Sequence, residues 1–262
     1  MELKIDLNSD LGESFGVYRV GNDRSILENL SSANVACGFH AGDPSVMERT
    51  VQEAARTGVA VGAHPGFPDL MGFGRREMAC TPDEIYAYCL YQIGAISAMC
   101  RAKGISLQHV KPHGALYNMA AKDPCLAEAI ACATRDAAPG LILMGLANSI
   151  FREEAARVDV PFAAEAFADR AYRNDGSLQP RSEKGSVIHD PEEASARVIK
   201  MVTTGVITSI DGEEISMDPD SICLHGDTPE AVEMSFVIRE RLREAGVEIC
   251  NLKEVLSNRM KY

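Results

Sequence analysis

Short apolar runs alternate along the chain with longer segments in which apolar residues recur every three or four positions. The short runs predict buried β-strands, and the longer segments predict amphipathic helices. The seven predicted strands cover residues 3–7, 34–37, 59–63, 107–111, 141–146, 161–167 and 222–224. The predicted helices between them cover residues 44–57, 82–103, 124–137, 148–158 and 229–245. Strands that alternate with helices indicate βαβ units and a parallel sheet.

Helix starts are marked by a repeated dipeptide in which Asp or Thr precedes Pro. The side-chain oxygen can accept from the unpaired amides of a first turn, and proline at the first helical position loses no needed donor. The five pairs are Asp43-Pro44, Thr81-Pro82, Asp123-Pro124, Asp190-Pro191 and Thr228-Pro229. They predict five helix N-termini.

Two connections are longer than the fold requires, at residues 66–79 and 168–190. On an α/β scaffold such loops are often lids or binding loops. Between Val206 and Met217, the dipeptide Asp211-Gly212 separates two alternating runs and predicts a β-hairpin. No linker or change of composition divides the chain, so we predict one α/β domain over residues 1–262. Seven strands favour a closed or nearly closed barrel over the alternative architecture, an open doubly wound sheet.

Composition narrows the class of protein. With 262 residues and 46% hydrophobic residues, the chain can bury a sizeable core and is not expected to be disordered. The net charge of −12 and the lack of a Lys/Arg run argue against nucleic acid as a partner. No apolar stretch approaches the roughly 18 residues of a spanning helix. The early polar residues of the N-terminus and eight cysteines without a CxxC pair predict a cytoplasmic protein with reduced thiols.

Four of the six histidines, His40, His64, His113 and His225, follow strand-like runs and precede a glycine within two residues. Because the carboxyl ends of parallel strands meet at one rim, we expect these side chains to share a site. Other polar residues follow the same strands: Asp6, Asn8, Asp10, Glu13, Asn34, Asp43, Asp69, Lys111, Glu165, Asp169, Arg170 and Asp227. Individually they have structural explanations, with Asp43 as a helix cap and Asp6 as a turn residue. Their joint occurrence predicts a functional rim.

Two kinds of chemistry fit such a rim. One is a divalent metal that activates water, with Asp10, His40 and His64 as candidate ligands. The other is metal-free acid–base catalysis by histidine, with cations that hold an anionic substrate group. The candidate cations are Lys111, Arg170 and the Arg75-Arg76 pair. The chain has no GxSxG, no GxxxxGK[ST] and no strand-linked GxGxxG, so a serine elbow and the standard nucleotide loops are missing.

Seven blocks of sequence resemble the LamB/YcsF family. They lie, in order, at residues 6–13, 36–44, 62–69, 72–76, 110–118, 165–170 and 225–227. The resemblance implies an irregular β/α barrel like those of glycoside hydrolases and polysaccharide deacetylases. It also implies an ATP-dependent 5-oxoprolinase activity, in which the lactam of 5-oxo-L-proline is opened to L-glutamate together with partner subunits B and C. Many members have Cys where this chain has Ser9, which argues against a thiol role there.

Lactam opening requires a base for water, an acid for the ring nitrogen, and cations for the carboxylate and phosphate. We therefore expect the catalytic residues to be Asp10, His40, His64, Lys111, His113 and Asp227. We expect the substrate-binding residues to be Asn8, Arg75, Arg76, Asp169, Arg170 and His225. ATP would be a co-substrate, bound by this chain or by its partners.

Two alternatives stay open. One is a metal-dependent amidase or deacetylase that acts on a small amide or carbohydrate without ATP. The other is a non-enzymatic subunit that delivers a small molecule to a catalytic partner. The sequence also leaves open whether the chain forms a homo-oligomer.

Overall fold

The computed structural model of the protein describes residues 3–224 and 229–259. Its strands are β1 Lys4–Leu11, β2 Ser32–Ala36, β3 Ala60–His64, β4 Leu107–Val110, β5 Ile142–Leu146, β6 Phe162–Phe167, β7 Val206–Thr208, β8 Glu214–Ser216, β9 Ser221–Cys223 and β10 Glu248–Ile249. Its helices are α1 Asp23–Leu27, α2 Pro44–Thr57, α3 Pro82–Ala102, α4 Gly114–Ala120, α5 Pro124–Ala137, α6 Phe151–Arg157, α7 Pro191–Thr204, α8 Pro229–Glu244 and α9 Leu252–Arg259.

Seven parallel strands close into a barrel in the order β1-β2-β3-β4-β5-β6-β9, and β9 pairs back onto β1. The closing register joins Asp6 to Ser221 and Asn8 to Cys223. β10 extends the sheet beside the start of β1, at Lys4 and Ile5. A register shift between Val61 and Gly62 makes the β3–β4 pairing irregular. The prediction of an irregular seven-stranded β/α barrel is confirmed.

The Asp-Pro and Thr-Pro pairs begin helices as predicted, at the four positions that the structure describes. The Asp43 carboxylate accepts from the amides of Ser45 and Val46 at 2.8 and 3.0 Å. Thr81 and Glu84 form a reciprocal capping box at the start of α3. Asp123 and Asp190 likewise cap α5 and α7. The fifth pair includes Thr228, which lies outside the described residues.

The first strand is longer than the sequence pattern predicted, since it continues to Leu11 rather than ending at Leu7. The predicted strand was too short because a continuous apolar run was expected, whereas polar and apolar residues alternate along this strand. Ile5, Leu7 and Leu11 belong to the apolar core between the sheet and the helices, whereas Asp6, Asn8 and Asp10 share the opposite face, as a period of two requires. The reading of Asp6 as a turn residue was wrong: it is a fully buried strand residue.

That opposite face lines a polar barrel interior. The inward side chains are joined by hydrogen bonds or ion pairs across the strands: Asp6, Asn8, Asp10, Ser32, Asn34, His64, His109, Lys111, Glu165 and Ser221. The chain therefore has an apolar core outside the barrel and a largely polar interior within it, where Ile142, Met144 and Ala163 form a small apolar cluster with Leu252. The candidate site lies at one end of the polar interior.

The remaining elements lie outside the barrel sheet. β7 and β8 form the predicted antiparallel hairpin, with Thr208 opposite Glu214. The pattern did not predict the short helices α1, α4 and α9. All eight cysteines are free. In the parts of the chain that the structure describes, no helix combines the length and the apolar character needed to cross a membrane.

Candidate active site

A pocket of about 460 Å³ opens at the carboxyl ends of the strands. Its floor includes Asp10 of β1, His64 of β3 and Lys111, which directly follows β4. The two long loops also line the pocket. The loop at residues 66–79 contributes Arg75, and the loop at residues 168–190 contributes Arg170 and residues 177–181. The volume is typical of small-molecule sites, which span roughly 300–1,000 Å³. Both loops thus lie where the sequence predicted binding loops.

Lys111 is a buried cation at the centre of the floor. Its Nζ lies 2.9 Å from Asp10 Oδ1 and 2.7 Å from Glu165 Oε1. It also donates to Asn8 Oδ1 and Cys223 Sγ, both at 3.3 Å. Although burial alone would lower the pKa of Lys111, the charges of these neighbours raise it well above its usual value. Lys111 is therefore a fixed positive charge and not a base.

Glu165 is held from its other side by Tyr117, whose hydroxyl donates to Glu165 Oε2 at 2.7 Å. Burial and the neighbouring Glu165 raise the pKa of Tyr117 well above its usual value, so the phenol stays protonated. Glu165 is fully buried and lies outside the pocket lining. Its role is to hold Lys111 in place.

Two backbone carbonyls fix the tautomers of His64 and His113. His64 Nδ1 lies 2.7 Å from the carbonyl oxygen of Lys111, and His113 Nε2 lies 2.8 Å from that of Phe73. A carbonyl oxygen can only accept, so both of these nitrogens carry a hydrogen. In the neutral rings, His64 Nε2 and His113 Nδ1 are then acceptors, and these two atoms lie 2.9 Å apart.

His40 and Glu13 join the same group. The His40 ring stacks on His113, with centroids 3.7 Å apart and planes within 2°. Glu13 Oε1 lies 3.4 Å from His40 Nε2 and 3.5 Å from His113 Nδ1. Among the described residues, neither this oxygen nor either His40 nitrogen has a hydrogen-bond partner. One ligand atom from each of Glu13, His40, His64 and His113 lies within 4.8 Å of all the others.

Burial controls the charge of this group. It lowers the pKa of His40 and of His113 well below the usual histidine value. It also raises the pKa of Glu13. His40 is completely buried and does not line the pocket, unlike Glu13, His64 and His113. His40 therefore lies behind the pocket wall, and its assignment to proton transfer stays a prediction.

The Gly72-Phe73-Gly74 segment packs against the imidazole rings of His40 and His113. Gly74 has φ +62°, and a Cβ there would lie 2.7 Å from His40 Cβ and 2.8 Å from His113 Cδ2. Only glycine combines this conformation with this close approach. The carbonyl oxygen of Gly74 also accepts from the amide of Ala115 at 2.9 Å. The loop at residues 66–79 thus packs closely against His40 and His113 and is held there by this hydrogen bond.

The predicted arginines have different surroundings. Arg75 lines the pocket, with its Cζ 5.0 Å from the Phe73 ring centroid. Arg76 pairs with Asp69 and does not line the pocket. Arg170 lines the pocket, but its guanidinium also donates to the carbonyl oxygens of Ser186 and Gln179 within the loop at residues 168–190. Arg170 therefore orders the loop that carries it.

Of the other predicted site residues, the structure describes Asn8 and Asp169. Asn8 lies inside the barrel, where its Oδ1 accepts from Asn34 at 2.7 Å and from Lys111. Asp169 is buried and accepts through its carbonyl oxygen from the amide of Ile188 at 2.8 Å. His225 and Asp227 lie outside the described residues. The substrate-binding and catalytic assignments of these residues stay predictions.

Sequence reasoning left out several residues that the structure brings to the site. Glu13 and Glu165 were noted at strand ends but were not selected, and Tyr117 was not considered a site residue. The alternation of polar and apolar residues along β1 could have indicated a polar barrel interior, where Glu165 also lies. His109 was also overlooked; it is buried inside the barrel with Nε2 2.7 Å from Asn34 Oδ1. Burial lowers the pKa of His109 to about 3, so it is a neutral structural residue.

The chain is similar to known proteins over nearly its full length. The family model described as LamB/YcsF family matches residues 5–257. A protein from Alkaliphilus metalliredigens, named as the A subunit of 5-oxoprolinase, is 53% identical over 253 residues, which cover 97% of this chain and 99% of the relative. A protein of the same name from Bacillus subtilis is 52% identical, with 96% of this chain and 98% of the relative covered.

Two solved structures extend the comparison. The lactam utilization protein from Thermus thermophilus is 50% identical, with a TM-score of 0.90 and coverage of 95% of this chain and 99% of that one. The peptidoglycan N-acetylglucosamine deacetylase Bc1960 is 13% identical, with a TM-score of 0.50 and coverage of 96% and 87%. This second likeness concerns the fold alone. From the family match and these identities, the chain belongs to the LamB/YcsF family.

Proposed function

We propose that the chain is the A subunit of a 5-oxoprolinase and that it opens the lactam of 5-oxo-L-proline to L-glutamate in the pocket at the barrel rim. The observation that carries the proposal is the floor of this pocket. There a buried, protonated Lys111 is held against Asp10, in a chain about half identical to proteins named as the A subunit of 5-oxoprolinase.

The pocket offers the groups that a lactam requires. Lys111 and the rim arginines Arg75, Arg170 and Arg181 supply positive charge for the substrate carboxylate and for negative charge that develops on oxygen. Arg75 is better placed than Arg170 to meet a ligand, since Arg170 is committed to its own loop. The substrate carboxylate would lie toward the arginines and its lactam ring toward Lys111.

Asp10 is the best-placed base. Its Oδ1 accepts from Lys111 and from Asn34, both at 2.9 Å, and its Oδ2 lies 3.3 Å from His64 Nε2. Its side chain is 20% exposed and lines the pocket, whereas Glu165 is not exposed at all. Asp10 would accept the proton of the attacking water, while Asn34 and Lys111 hold its orientation.

Coupling to ATP overcomes the low reactivity of an unstrained amide. Transfer of the γ-phosphoryl group to the lactam oxygen yields ADP and an activated carbon. Water then adds to that carbon, and the ring C–N bond breaks as the nitrogen takes a proton, which leaves an acyl phosphate. A second water hydrolyses the acyl phosphate to the carboxylate of glutamate and inorganic phosphate. ATP would be bound by this chain or by partner subunits B and C.

Reconstitution tests this function. The chain is combined with subunits B and C, 5-oxoproline and ATP, and glutamate and ADP are both measured while each subunit is omitted in turn. We expect equal amounts of glutamate and ADP only from the full set. Glutamate formed at the same rate without this chain would contradict the proposal.

The group formed by Glu13, His40, His64 and His113 favours a second candidate, a metal-dependent amidase or deacetylase that needs no ATP. The same reagents separate the two. Release of acetate from a small N-acetyl amide by this chain alone, with no glutamate from the full set, would favour the second candidate.

A further inference from the structure

We propose that Glu13, His40, His64 and His113 bind one divalent transition-metal ion in the wall of the pocket. The binding stands on the geometry alone. Only the use of the ion in catalysis rests on the proposed function.

Two imidazole lone pairs in this group point toward each other. The carbonyl oxygens of Lys111 and Phe73 take the hydrogens of His64 Nδ1 and His113 Nε2. The two remaining nitrogens therefore present lone pairs to each other at 2.9 Å. Two acceptors at this distance repel unless a cation lies between or beside them. A metal ion satisfies both at once.

The spacing of the four ligand atoms suits a single ion. Metal–nitrogen and metal–oxygen bonds of about 2.0–2.2 Å place neighbouring ligands of a tetrahedron roughly 3.3 Å apart. The separations here are 2.9 Å for His64 with His113, 3.4 Å for Glu13 with His40 and 3.5 Å for Glu13 with His113. These three separations lie close to tetrahedral spacing, and all four ligand atoms lie within 4.8 Å of one another. Because the His40 and His113 rings are stacked in parallel, the His40 ring would have to turn to point its lone pair at the same ion.

The surroundings of the ligands are those of metal-binding imidazoles. Histidines that bind metals commonly donate their other N–H to a carbonyl or carboxylate, which fixes the ring. His64 and His113 both do so here. Completely buried His40 has no hydrogen-bond partner among the described residues for either nitrogen. Buried polar atoms are rarely left in that condition without a function.

The donor set indicates the class of metal. Three imidazoles with one carboxylate suit Zn²⁺ and its transition-metal neighbours, whereas Mg²⁺ and Ca²⁺ prefer all-oxygen shells. Glu13, His64 and His113 line the pocket while His40 lies behind it. The ion would therefore lie in the pocket wall, and to polarise the lactam oxygen as a Lewis acid it would have to expand from four ligands to five.

The test measures metal on the purified full-length chain without substrate. The chain is stripped with chelator and titrated with Zn²⁺ and with Co²⁺, and metal content and the visible Co²⁺ spectrum are recorded. We expect one equivalent of metal and a tetrahedral Co²⁺ spectrum. Because loss of even an outer partner typically weakens metal affinity about 10–100-fold, His113→Ala and Glu13→Gln should weaken it at least as much.

His189→Ala is the matched control, since His189 is exposed and lies outside the group; it should bind metal like the wild type. Glu13→Gln keeps the size of the side chain, so it separates loss of a ligand from loss of folding. Less than one tenth of an equivalent in the wild type would overturn the site, and a proton shared by His64 and His113 would then replace the metal. Unchanged affinity in both ligand variants would also overturn it.

Reconstitution keeps the two proposals apart. Bound metal without glutamate formation would leave the site standing and remove the proposed function. Full glutamate formation by the stripped, metal-free chain would leave the function standing and remove the catalytic use of the ion.

Discussion

The barrel interior has a lower end, around Asp6, and an upper end, at the carboxyl ends of the strands where the pocket opens. Both ends contain buried polar groups, but the hydrogen-bonding needs of these groups are met to very different degrees. At the lower end, the Asp6 carboxylate accepts from Ser31 at 2.7 Å, from Ser32 at 2.6 Å and from Ser221. At the upper end, the acceptor nitrogens of His64 and His113 face each other. At the lower end donors meet acceptors, whereas at the upper end one pair of acceptors, His64 Nε2 and His113 Nδ1, meets without a donor between them.

Polarity alone therefore does not identify a functional site in this barrel. A buried polar group with a complete set of partners stabilises one arrangement of the fold. A buried group without its partners is retained at a cost, and such cost is typical of sites that bind or react. The lower end is expected to govern stability and the upper end activity, as at the two faces of other β/α barrels.

Lys111→Ala should have the largest effect and would disturb the upper end most severely. It removes the cation between Asp10 and Glu165, so kcat should fall about 10²–10³-fold. It also leaves Glu165 as an unpaired buried charge, which should cost about 3–5 kcal/mol of unfolding free energy. Glutamate formation in the assembled complex and urea denaturation measure the two effects. Lys103→Ala, on the surface, is the control, and equal activity of both variants would be inconsistent with a catalytic upper end.

Asp6→Ala tests the lower end. Three serine hydroxyls lose their acceptor, so the free energy of unfolding should drop by about 1–3 kcal/mol. The value of kcat, corrected for folded protein, should stay unchanged because Asp6 does not line the pocket. A large loss of kcat with unchanged stability would reverse the roles assigned to the two ends.

The pH dependence of stability follows from the same contrast. Burial raises the pKa of Asp6 from 3.8 to about 6, against the opposing effect of its serine partners. Between these values the native state holds more protons than the unfolded state, so this group lowers stability as pH rises through the window. Two pKa units correspond to about 3 kcal/mol. The difference in unfolding free energy between the wild type and Asp6→Asn should therefore fall by about 2 kcal/mol from pH 4 to pH 7, since part of the titration of the unfolded state lies below pH 4. A flat difference would refute the shift.

Gln108→Leu should have the smallest effect. Gln108 accepts from Ser32 at 3.3 Å and donates to Asn251 at 3.1 Å, both at the lower end. Its loss should cost about 1 kcal/mol of unfolding free energy. Activity should not change, and a detectable loss of kcat would extend the functional region to the lower end.

The fold was largely predictable because local rules determined it. Apolar runs gave the seven strands and the Asp-Pro pairs gave the helix starts, since both depend on neighbouring residues. The rim of histidines followed from topology. The polar barrel interior was missed because continuous apolar strands were expected, although Asp6, Asn8 and Asp10 alternate with Ile5 and Leu7.

The arrangement of the site could not be predicted in the same way. The orientation of His113 depends on the carbonyl oxygen of Phe73, 40 residues away along the chain. Glu13 follows β1 and contacts His40, which follows β2, so their approach depends on the pairing of two strands. Such contacts are set by tertiary packing, and no spacing in the sequence encodes them.

The division of the barrel into a stabilising end and an active end is tested by comparing His64→Ala with Asp6→Asn in the same preparations. Glutamate formation is measured in the assembled complex, and the folded fraction of each variant is measured alongside. We predict that His64→Ala loses at least about 10²-fold in kcat while folded, and that Asp6→Asn retains full kcat. Full activity in His64→Ala, or lost activity in folded Asp6→Asn, would contradict this division.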